Sequence, residues 1–531
     1  MKRIVGLVLF LVIVGSVFIA CAEEVETFKS GDYTYTLADD GSAVITKYSG
    51  KEEELTVPSE LDGHIVTTIG DSAFRNCDSL TSVTLPDSVT TVSDWAFSYC
   101  RSLTSITLPD SVTTIGDLAF IGCGGLTSIT MPDSLTTIGD SAFDGCSSLT
   151  SITLPDRVTS IGDGAFGSCG SLISITLPDS ITDLGANPWS ACTNLATINV
   201  SPKHPSLEVI DGLLCSKADK RLVWYPMTSK ASAFEVPDGI RIIGDSAFYS
   251  CGSLTSITLP DSVTSIGDYA FCWCGSLTSI TLPDSITTIG VGAFSMCDRL
   301  TSITLPDSLT SIGDHAFNRC VSLTTITLPD SITAIGNDAF YWCQRLTTIT
   351  LPDSLTTVGD AAFFNCRSLT SITLPDSLTT IGDEMFMWCY SLTSITLPDS
   401  LTTIGDYAFR ECGSLTTITL PDSVTSIGDG AFYGCTTLTT ITLPDSVTSI
   451  GDRAFSICGS LTSITLPDSL TSIGDWAFME CGSLTTITLP DSLTTIGCHA
   501  FEGCRNLTII VTKGSYAEQY CIDNNLTYKL H

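Results

Sequence analysis

Residues 254–274 read LTSITLPDSVTSIGDYAFCWC, and with two further residues they form a unit that recurs along most of the chain. Prolines lie 23 residues apart over residues 86–178 and again over residues 237–490. Cysteines keep the same spacing over residues 77–192 and 251–504. A fixed period of this length is typical of solenoids, in which each repeat stacks on its neighbours. The sequence therefore predicts a solenoid built from coils of 23 residues.

Each part of the unit predicts a place within one coil. The alternation over residues 254–259 indicates a short strand whose Leu and Ile side chains point inward. The Pro-Asp pair at 260–261 favours a turn, and residues 263–266 then form a second short extended run. Asp268 is expected to cap short helical turns over residues 269–273. The predicted fold class is α/β, as a β-rich solenoid with a parallel sheet face, a second extended run and short helical turns.

Departures from the unit divide the chain into six segments. Alternating residues on both sides of residues 40–41 indicate a β-hairpin that covers the open end of the first coil. Extra strand-like segments between Pro178 and Pro237 indicate a hairpin inserted into one irregular repeat, with one continuous core on both sides of it. The predicted segments are an export signal (1–22), an N-terminal hairpin cap (23–62), a first block of repeats (63–200), the inserted hairpin (201–236), a second block of repeats (237–508) and a C-terminal cap (509–531).

The first residues have the pattern of an export signal, with a basic start and an apolar core. Residues 18–21, FIAC, resemble the lipobox of bacterial lipoproteins, which implies a lipid on Cys21. Ordinary cleavage after Ala22 is the alternative and would release the protein. No second apolar stretch of membrane length follows in the sequence. The prediction is an extracellular protein, surface-bound or secreted, that touches a membrane only through a lipid anchor.

The repeat pattern LxxIxLPxx(V/L/I)xxIGxxAFxxC resembles the BspA-like leucine-rich repeats, which occur in bacterial surface proteins and in some protist ones. The likeness extends over nearly everything after the signal, including residues 211–213 and the closing residues 514–518. The resemblance implies a leucine-rich-repeat solenoid displayed at a cell surface, with proteins of a host or a partner cell as its partners. It brings no catalytic residues with it.

The charge excludes some partners. With 57 acidic and 23 basic residues the net charge is −34, which makes nucleic acid and anionic membranes poor partners. Much of the acidity lies at two repeated positions, those of Asp261 and Asp268, whose copies are expected about 5 Å apart in neighbouring coils. Such rows of carboxylates either bind calcium or serve turns and caps, and the second reading is favoured because no calcium-binding nonapeptide is present.

The cysteines are predicted to be free. Eighteen of the 23 occupy one position of the repeat, so their side chains should point into the core in parallel. Parallel Cβ vectors do not favour disulfides, and buried thiols packed as small apolar groups are the expectation. Cys272 and Cys498 lie outside this row and are expected to be exposed.

No catalytic motif stands out, and the sequence predicts a protein without enzyme activity, metal or cofactor. The five histidines show no ligand spacing, and the phosphate-loop and nucleophile-elbow motifs are missing from the sequence. Three classes of function remain: a protein-binding or adhesive surface module, a passive coat or spacer, and binding of an ice or polysaccharide lattice. The third is suggested by the Ser and Thr rows at positions 256 and 258, although these residues also suit exposed strands.

Comparison of the coils indicates where a ligand binds. The strand positions hardly vary, whereas the residues around each Ala-Phe pair and after each cysteine do. Trp, Tyr and Arg, which dominate binding hot spots, are concentrated at these variable positions. The alternative is that the rings lie on their own turns and only shield the core. The predicted ligand-binding residues are Trp273, Tyr341, Trp342, Trp388, Tyr390, Tyr407 and Trp476.

Overall fold

The computed structural model describes residues 26–531, so the predicted export signal and Cys21 lie outside the described part. Within it, strand Ser256–Thr258 pairs in parallel with Ala233–Glu235 on one side and Ser279–Thr281 on the other. Paired residues are 23 apart, so each side chain lies beside its own copy in the next coil. We call this row the front ladder. It comprises Glu54–Thr56, Ser82–Thr84, Ser105–Thr107, Ser128–Thr130, Ser174–Leu177, Thr197–Val200, Ala233–Glu235, Ser256–Thr258, Ser279–Thr281, Ser302–Thr304, Thr325–Thr327, Thr348–Thr350, Ser371–Thr373, Ser394–Thr396, Thr440–Thr442, Ser463–Thr465, Thr486–Thr488 and Thr508–Val511.

The second extended run forms another row of short parallel strands, which we call the rear ladder. Ser265–Ile266 pairs with Ile242–Ile243 and with Thr288–Ile289, again with copies 23 residues apart. The predicted solenoid with two extended runs per coil is therefore confirmed. The rear ladder comprises His64–Ile69, Thr91–Val92, Thr114–Ile115, Thr137–Ile138, Ser160–Ile161, Asp183–Leu184, Ile242–Ile243, Ser265–Ile266, Thr288–Ile289, Ser311–Ile312, Ala334–Ile335, Thr357–Val358, Thr380–Ile381, Thr403–Ile404, Ser426–Ile427, Ser449–Ile450, Ser472–Ile473 and Thr495–Ile496.

The core is made of rows of identical side chains. Phe271 is fully buried, and its ring stacks on Phe248 and Phe294 with centroids 5.1 and 5.2 Å apart. Beside the rings, the Cys274 thiol donates a hydrogen bond to the Phe248 carbonyl oxygen, 26 residues earlier, at 3.1 Å. One coil could not bury these groups by itself, so the coils are stable only as a stack.

The prediction of helical turns after Asp268 is wrong. Residues 269–273 form consecutive turns in which every second amide donates to the next coil, as Phe271 does to the Ala293 carbonyl at 2.8 Å. Tyr269 and Trp273 have φ angles of +55° and +62°, and left-handed residues at this spacing prevent a continuous helix. The carboxylate of Asp268 does not cap its own turn, because Oδ1 accepts the Val291 amide of the next coil at 2.7 Å.

Both ends of the stack have elements of their own. The N-terminal end consists of three strands, Phe28–Ser30, Tyr33–Leu37 and Ala43–Tyr48. Each pairs antiparallel with the next one in the chain, and the third also pairs in parallel with the first strand of the rear ladder. Glu60–Leu61 also pairs antiparallel with the first rear strand. At the other end, helix Tyr516–Asp523 starts at the Ser515 cap, and strand Tyr528–Leu530 pairs with the last front strand. The hairpin matches the sequence prediction, and the closing helix and the last strand lie within the predicted C-terminal cap (509–531).

The inserted hairpin interrupts the core. Strands Leu207–Ile210, Leu213–Ser216 and Arg221–Trp224 pair antiparallel, and the last of them starts the second part of the rear ladder. Leu214 packs in the N-terminal cluster of buried residues, whereas its neighbour Leu213 packs in the C-terminal one. The prediction of one continuous core is therefore wrong here, because successive strand residues face opposite sides and the hairpin forms a wall between two clusters.

Candidate functional site

The variable residues lie along one side of the stack, which we call the turn side and define as the residues from the rear strand to the cysteine of each coil. Two positions on it have positive φ in every coil: the residue before each Ala-Phe pair or its equivalent, and the residue before each cysteine. Most of their side chains point away from the core, and Trp273, for example, is 50% exposed. Five of the seven predicted binding residues have this conformation: Trp273, Trp342, Trp388, Tyr407 and Trp476.

Several of the predicted residues come together in one cluster, which we call the aromatic patch. Its buried part is formed by Ala361, Phe364 and Met387. The ring of Tyr341 stacks on Phe364 with centroids 4.5 Å apart, and Phe364 contacts Trp388 at 4.9 Å. The patch consists of these residues and their half-buried neighbours Tyr341, Trp342, Trp388 and Tyr407.

Phe364 and Met387 were missed by the sequence analysis, and Tyr390, one of the predicted binding residues, lies outside the cluster. Both missed residues directly follow the buried Phe of their coil, where Ser98, Ser295 and Ser456 are also buried. A large apolar residue at a position that holds serine in several other coils was the available signal. Tyr390 follows the cysteine instead and lies under Arg367, with the guanidinium 5.7 Å from its ring centroid.

Arginines of one coil stack on aromatic rings of the next. Arg319 lies over Trp342 at 5.2 Å, and Arg453 lies over Trp476 at 4.5 Å. Arg410 lies 4.8 Å from the Tyr433 ring, again 23 residues further on. Each exposed cation–π pair of this kind contributes roughly 0.5–1 kcal/mol. The rings of the turn side therefore stabilise the contact between neighbouring coils and also face solvent. This agrees in part with the alternative that the rings only shield the core.

Buried donors and carboxyl groups with raised pKa values lie in the patch or directly beside it. Trp342 Nε1 and Arg410 Nε are buried and have no hydrogen-bond partner in the described chain. Burial raises the pKa of Asp338. His315 lowers this pKa, whereas the negative charges of Asp314 and Asp360 raise it further. The pKa of Glu384 is raised mainly by burial and then by the charge of Asp338. A partner that supplies acceptors and covers this surface would satisfy both donors.

The other predicted residues stand apart from the patch. Trp273 lies several coils nearer the N-terminus, and its ring is among the more exposed large side chains. Trp476 lies several coils nearer the C-terminus, where it stacks on His499 with centroids 6.0 Å apart. The structure therefore brings together Tyr341, Trp342, Trp388 and Tyr407, and it leaves the others as separate aromatic positions on the same side.

The front ladder is uniform by comparison. Its outward positions are Ser and Thr in coil after coil, as in Ser279–Thr281 with its buried Ile280. The Thr278 hydroxyl beside that strand donates to the Thr255 carbonyl of the previous coil at 3.0 Å. Many of the threonine hydroxyls next to the strands thus donate hydrogen bonds to the previous coil. The front ladder therefore offers few groups that differ from coil to coil and could select one partner.

The structure also bears on the carboxylate rows and the thiols. Among residues 26–531, no group of three or more His, Cys, Asp or Glu residues is arranged to hold a metal ion. The cysteines of this part are all free, and most are buried. Cys498 is exposed as predicted, but the same prediction for Cys272 is wrong. Cys272 directly follows Phe271, and its small side chain is buried, as are Ser98, Ser295 and Ser456 at the same position.

Repeats with leucines on both sides of the front strand, such as Leu254 and Leu259, and a turn side of this geometry define the chain as a leucine-rich-repeat solenoid. The family model for the BspA type leucine rich repeat region (6 copies) matches residues 53–139, 113–211, 225–347, 310–438 and 402–528. The chain belongs to this family. No curated protein matches the sequence.

Three solved structures illustrate the likeness. A leucine rich cell surface protein from Faecalibacterium prausnitzii is 36% identical, with a TM-score of 0.50, covering 61% of this chain and 94% of that one. A leucine-rich repeat protein from Eubacterium ventriosum is 25% identical, with a TM-score of 0.49, covering 76% and 93%. The pneumococcal vaccine antigen PcpA is 20% identical, with a TM-score of 0.48, covering 72% and 95%. Over residues 26–531, no helix is long and apolar enough to cross a membrane.

Proposed function

We propose that this chain is an exported, non-catalytic surface module that binds proteins of a host or of another cell through the turn side. The observation that carries the proposal is the aromatic patch, where half-buried Trp and Tyr rings surround Phe364 and Met387. Rings of this kind, with arginine beside them, are the side chains most often found in binding hot spots. The description of the Faecalibacterium prausnitzii relative as a cell surface protein agrees with this location.

The front ladder and the turn side differ in how specifically they can recognise a partner. The front ladder repeats the same Ser and Thr positions, as in Ser279–Thr281 and Ser302–Thr304, so it can attract only something equally repetitive. The aromatic patch occurs once among the described residues, and its donors at Trp342 and Arg410 lack partners within the chain. A protein surface that presents acceptor groups around an apolar centre fits this arrangement.

The test compares two matched sets of substitutions. The purified protein is first screened for binding to immobilised matrix proteins and to whole cells. Against a partner found in this way, Trp342→Ala with Trp388→Ala is expected to weaken binding at least about 30-fold, the effect of losing one hot-spot residue of about 2 kcal/mol. Binding is measured by surface plasmon resonance, and circular dichroism checks that the fold is retained.

The control set removes hydroxyls from the front ladder. Thr327→Ala, Thr350→Ala and Thr373→Ala change exposed positions of three neighbouring coils and should leave binding within about twofold, as expected for surface changes outside a hot spot. The opposite result would move the site to the front ladder and favour lattice binding or general adhesion. Failure to bind any protein or cell would favour a passive coat or spacer.

Attachment to the cell is proposed to depend on Cys21. The residue lies outside the described part of the chain, so the lipobox-like residues 18–21 are its only support. If Cys21 carries a lipid, Cys21→Ser should move the protein from the membrane fraction to the medium in a fractionation experiment. Unchanged fractionation would instead support ordinary cleavage, and mass spectrometry of the mature N-terminus distinguishes the two.

A further inference from the structure

A cavity of about 260 Å³ lies where the inserted hairpin interrupts the rear ladder. In most coils each rear strand pairs with the next, but Asp183–Leu184 pairs only with Ser160–Ile161. The following strand, Leu207–Ile210, pairs antiparallel with Leu213–Ser216 instead. The gap between these elements is the cavity, and Gly244 and Asp245 of the resumed ladder also line it.

The open edge leaves backbone acceptors directed at the gap. In the preceding coil, the carbonyl oxygens of Thr159 and Ile161 accept amides from residues 182–183 and from Gly185. The equivalent carbonyls of Thr182 and Leu184 receive no hydrogen bond from the described chain. Thr182 and Leu184 both line the cavity, so their carbonyl oxygens are available as acceptors to a donor bound there.

Asn187 presents a buried acceptor to the cavity that has no donor within the described chain. Its side chain lines the cavity, the residue is only 3% exposed, and its Oδ1 has no hydrogen-bond partner. The Nδ2 group donates to the Ser246 carbonyl oxygen at 2.5 Å, across the insertion. Because turning the amide over would set two oxygens against each other, this bond fixes Oδ1 as the unpaired atom.

The charges around the cavity favour a cation. The carboxylates of Asp183, Asp219 and Asp245 line it together with one guanidinium, Arg221, which pairs with Asp219 at 3.0 Å. Two carboxylates therefore remain without a cationic partner at the cavity. The lining also includes Ile181, Leu184, Leu207 and Val223, whose apolar side chains suit a short hydrocarbon stem.

From this combination of acceptors, negative charge and apolar wall we propose that the cavity binds an alkylammonium or alkylguanidinium group. The volume is below the roughly 300–1,000 Å³ of pockets for drug-sized ligands, so it fits a small molecule or a single side chain. The group can come from a free diamine or from a Lys or Arg side chain of a protein. This site lies far along the chain from the aromatic patch and does not depend on the proposed function.

The binding test uses isothermal titration calorimetry on the whole protein with paired probes. Cadaverine represents the free amine and pentanediol is its uncharged match, while acetyl-lysine amide represents the protein side chain and acetyl-norleucine amide is its match. We expect each cation that enters to bind at least about tenfold more tightly than its neutral match, the effect of about 1.4 kcal/mol from a charge-assisted bond. Binding of cadaverine alone identifies a free amine, and binding of the lysine amide identifies a protein side chain.

A pair of matched variants locates the site. Asp245→Asn removes one carboxylate from the cavity, while its Oδ1 still accepts the Asp268 amide. The fold accepts this change, because Asn337 naturally occupies the same position and accepts the Asp360 amide at 2.9 Å. Asp268→Asn makes the same change one coil further on, outside the cavity.

We expect Asp245→Asn to weaken binding of the cation about tenfold and Asp268→Asn to change it less than about twofold, since only the first charge touches the ligand. Asn187→Leu, which removes the unpaired acceptor and fills part of the cavity, should abolish binding. The proposal is overturned if neither cation binds at about 10 mM, if the neutral probes bind equally well, or if both Asp variants weaken binding alike.

Discussion

Phe271→Ala is expected to lower the free energy of unfolding by about 3–5 kcal/mol. The ring is fully buried and stacks on Phe248 and Phe294, with interplanar angles of 17° and 8°. Its removal leaves a cavity that the rest of the coil cannot fill, since both neighbouring rings are held by their own coils. In a solenoid, stability is roughly the sum of the coils and the interfaces between them, and this change weakens two interfaces at once.

The measurement combines equilibrium unfolding in urea with native-state hydrogen exchange. Exchange should accelerate most in the coils of Phe248, Phe271 and Phe294, and least in distant coils such as that of Phe455, because only nearest neighbours share the lost contacts. Thr258→Ala is the matched control, since Thr258 belongs to the same coil but is exposed on the front ladder. A loss below about 1 kcal/mol for Phe271→Ala would contradict a packed interior at this position.

The repeating core could be predicted from the sequence because one physical rule governs every coil. A side chain such as Ile257 has to meet its own copy 23 residues on, and the structure pairs it with Ile280. Leu, Ile, Phe and Cys therefore recur at fixed positions, and their period alone determines the stacking. The closing helix could also be predicted from the sequence, because serine is a favourable N-cap residue. In the structure the Ser515 side chain accepts the Glu518 amide.

The turn side was harder to predict, because its hydrogen bonds run between coils. Asp268 followed by apolar residues looks like a helix start, yet its Oδ1 accepts an amide from Val291 in the next coil. Gly292 and Gly122 stand at the two left-handed positions of their coils, and glycine there was a usable signal for positive φ. The error at Cys272 has a related cause, because this residue lies directly before the left-handed Trp273, where a small side chain is buried.

The candidate site was predicted only in part, because variation between coils shows which side differs but not which residues meet. Trp342 and Trp388 belong to coils two repeats apart, and Phe364 of the coil between them joins the cluster. That contact depends on the direction of each side chain, which the period does not specify. The cavity at the insertion was not predicted at all, because it results from a strand that turns away from its expected partner, Asp183–Leu184.

The buried thiols lead to the prediction with the largest expected effect. Burial raises the pKa of Cys274 from 9.0 to about 12, and its thiol donates to the Phe248 carbonyl oxygen. Alkylation requires the thiolate, so at about pH 8.5 this cysteine should react with iodoacetamide at least about 1,000-fold more slowly than the exposed Cys498. The sign follows from the raised pKa, since a thiol stays protonated until the pH exceeds that value.

Peptide mapping by mass spectrometry follows each cysteine separately, and the result separates free, buried thiols from disulfides. In urea, where the coils separate, Cys274 and Cys498 should react at similar rates, because both are then free and solvated. Cys498→Ser should remove the fast-reacting peptide that carries residue 498 while leaving the slow reaction of Cys274 unchanged. Rapid alkylation of Cys274 in the native protein would mean that the coils open far more often than a continuous stack of rings and thiols allows. A mass two units lower for each cysteine pair, with no reaction in urea, would instead show that the row forms disulfides, against the parallel arrangement of its side chains.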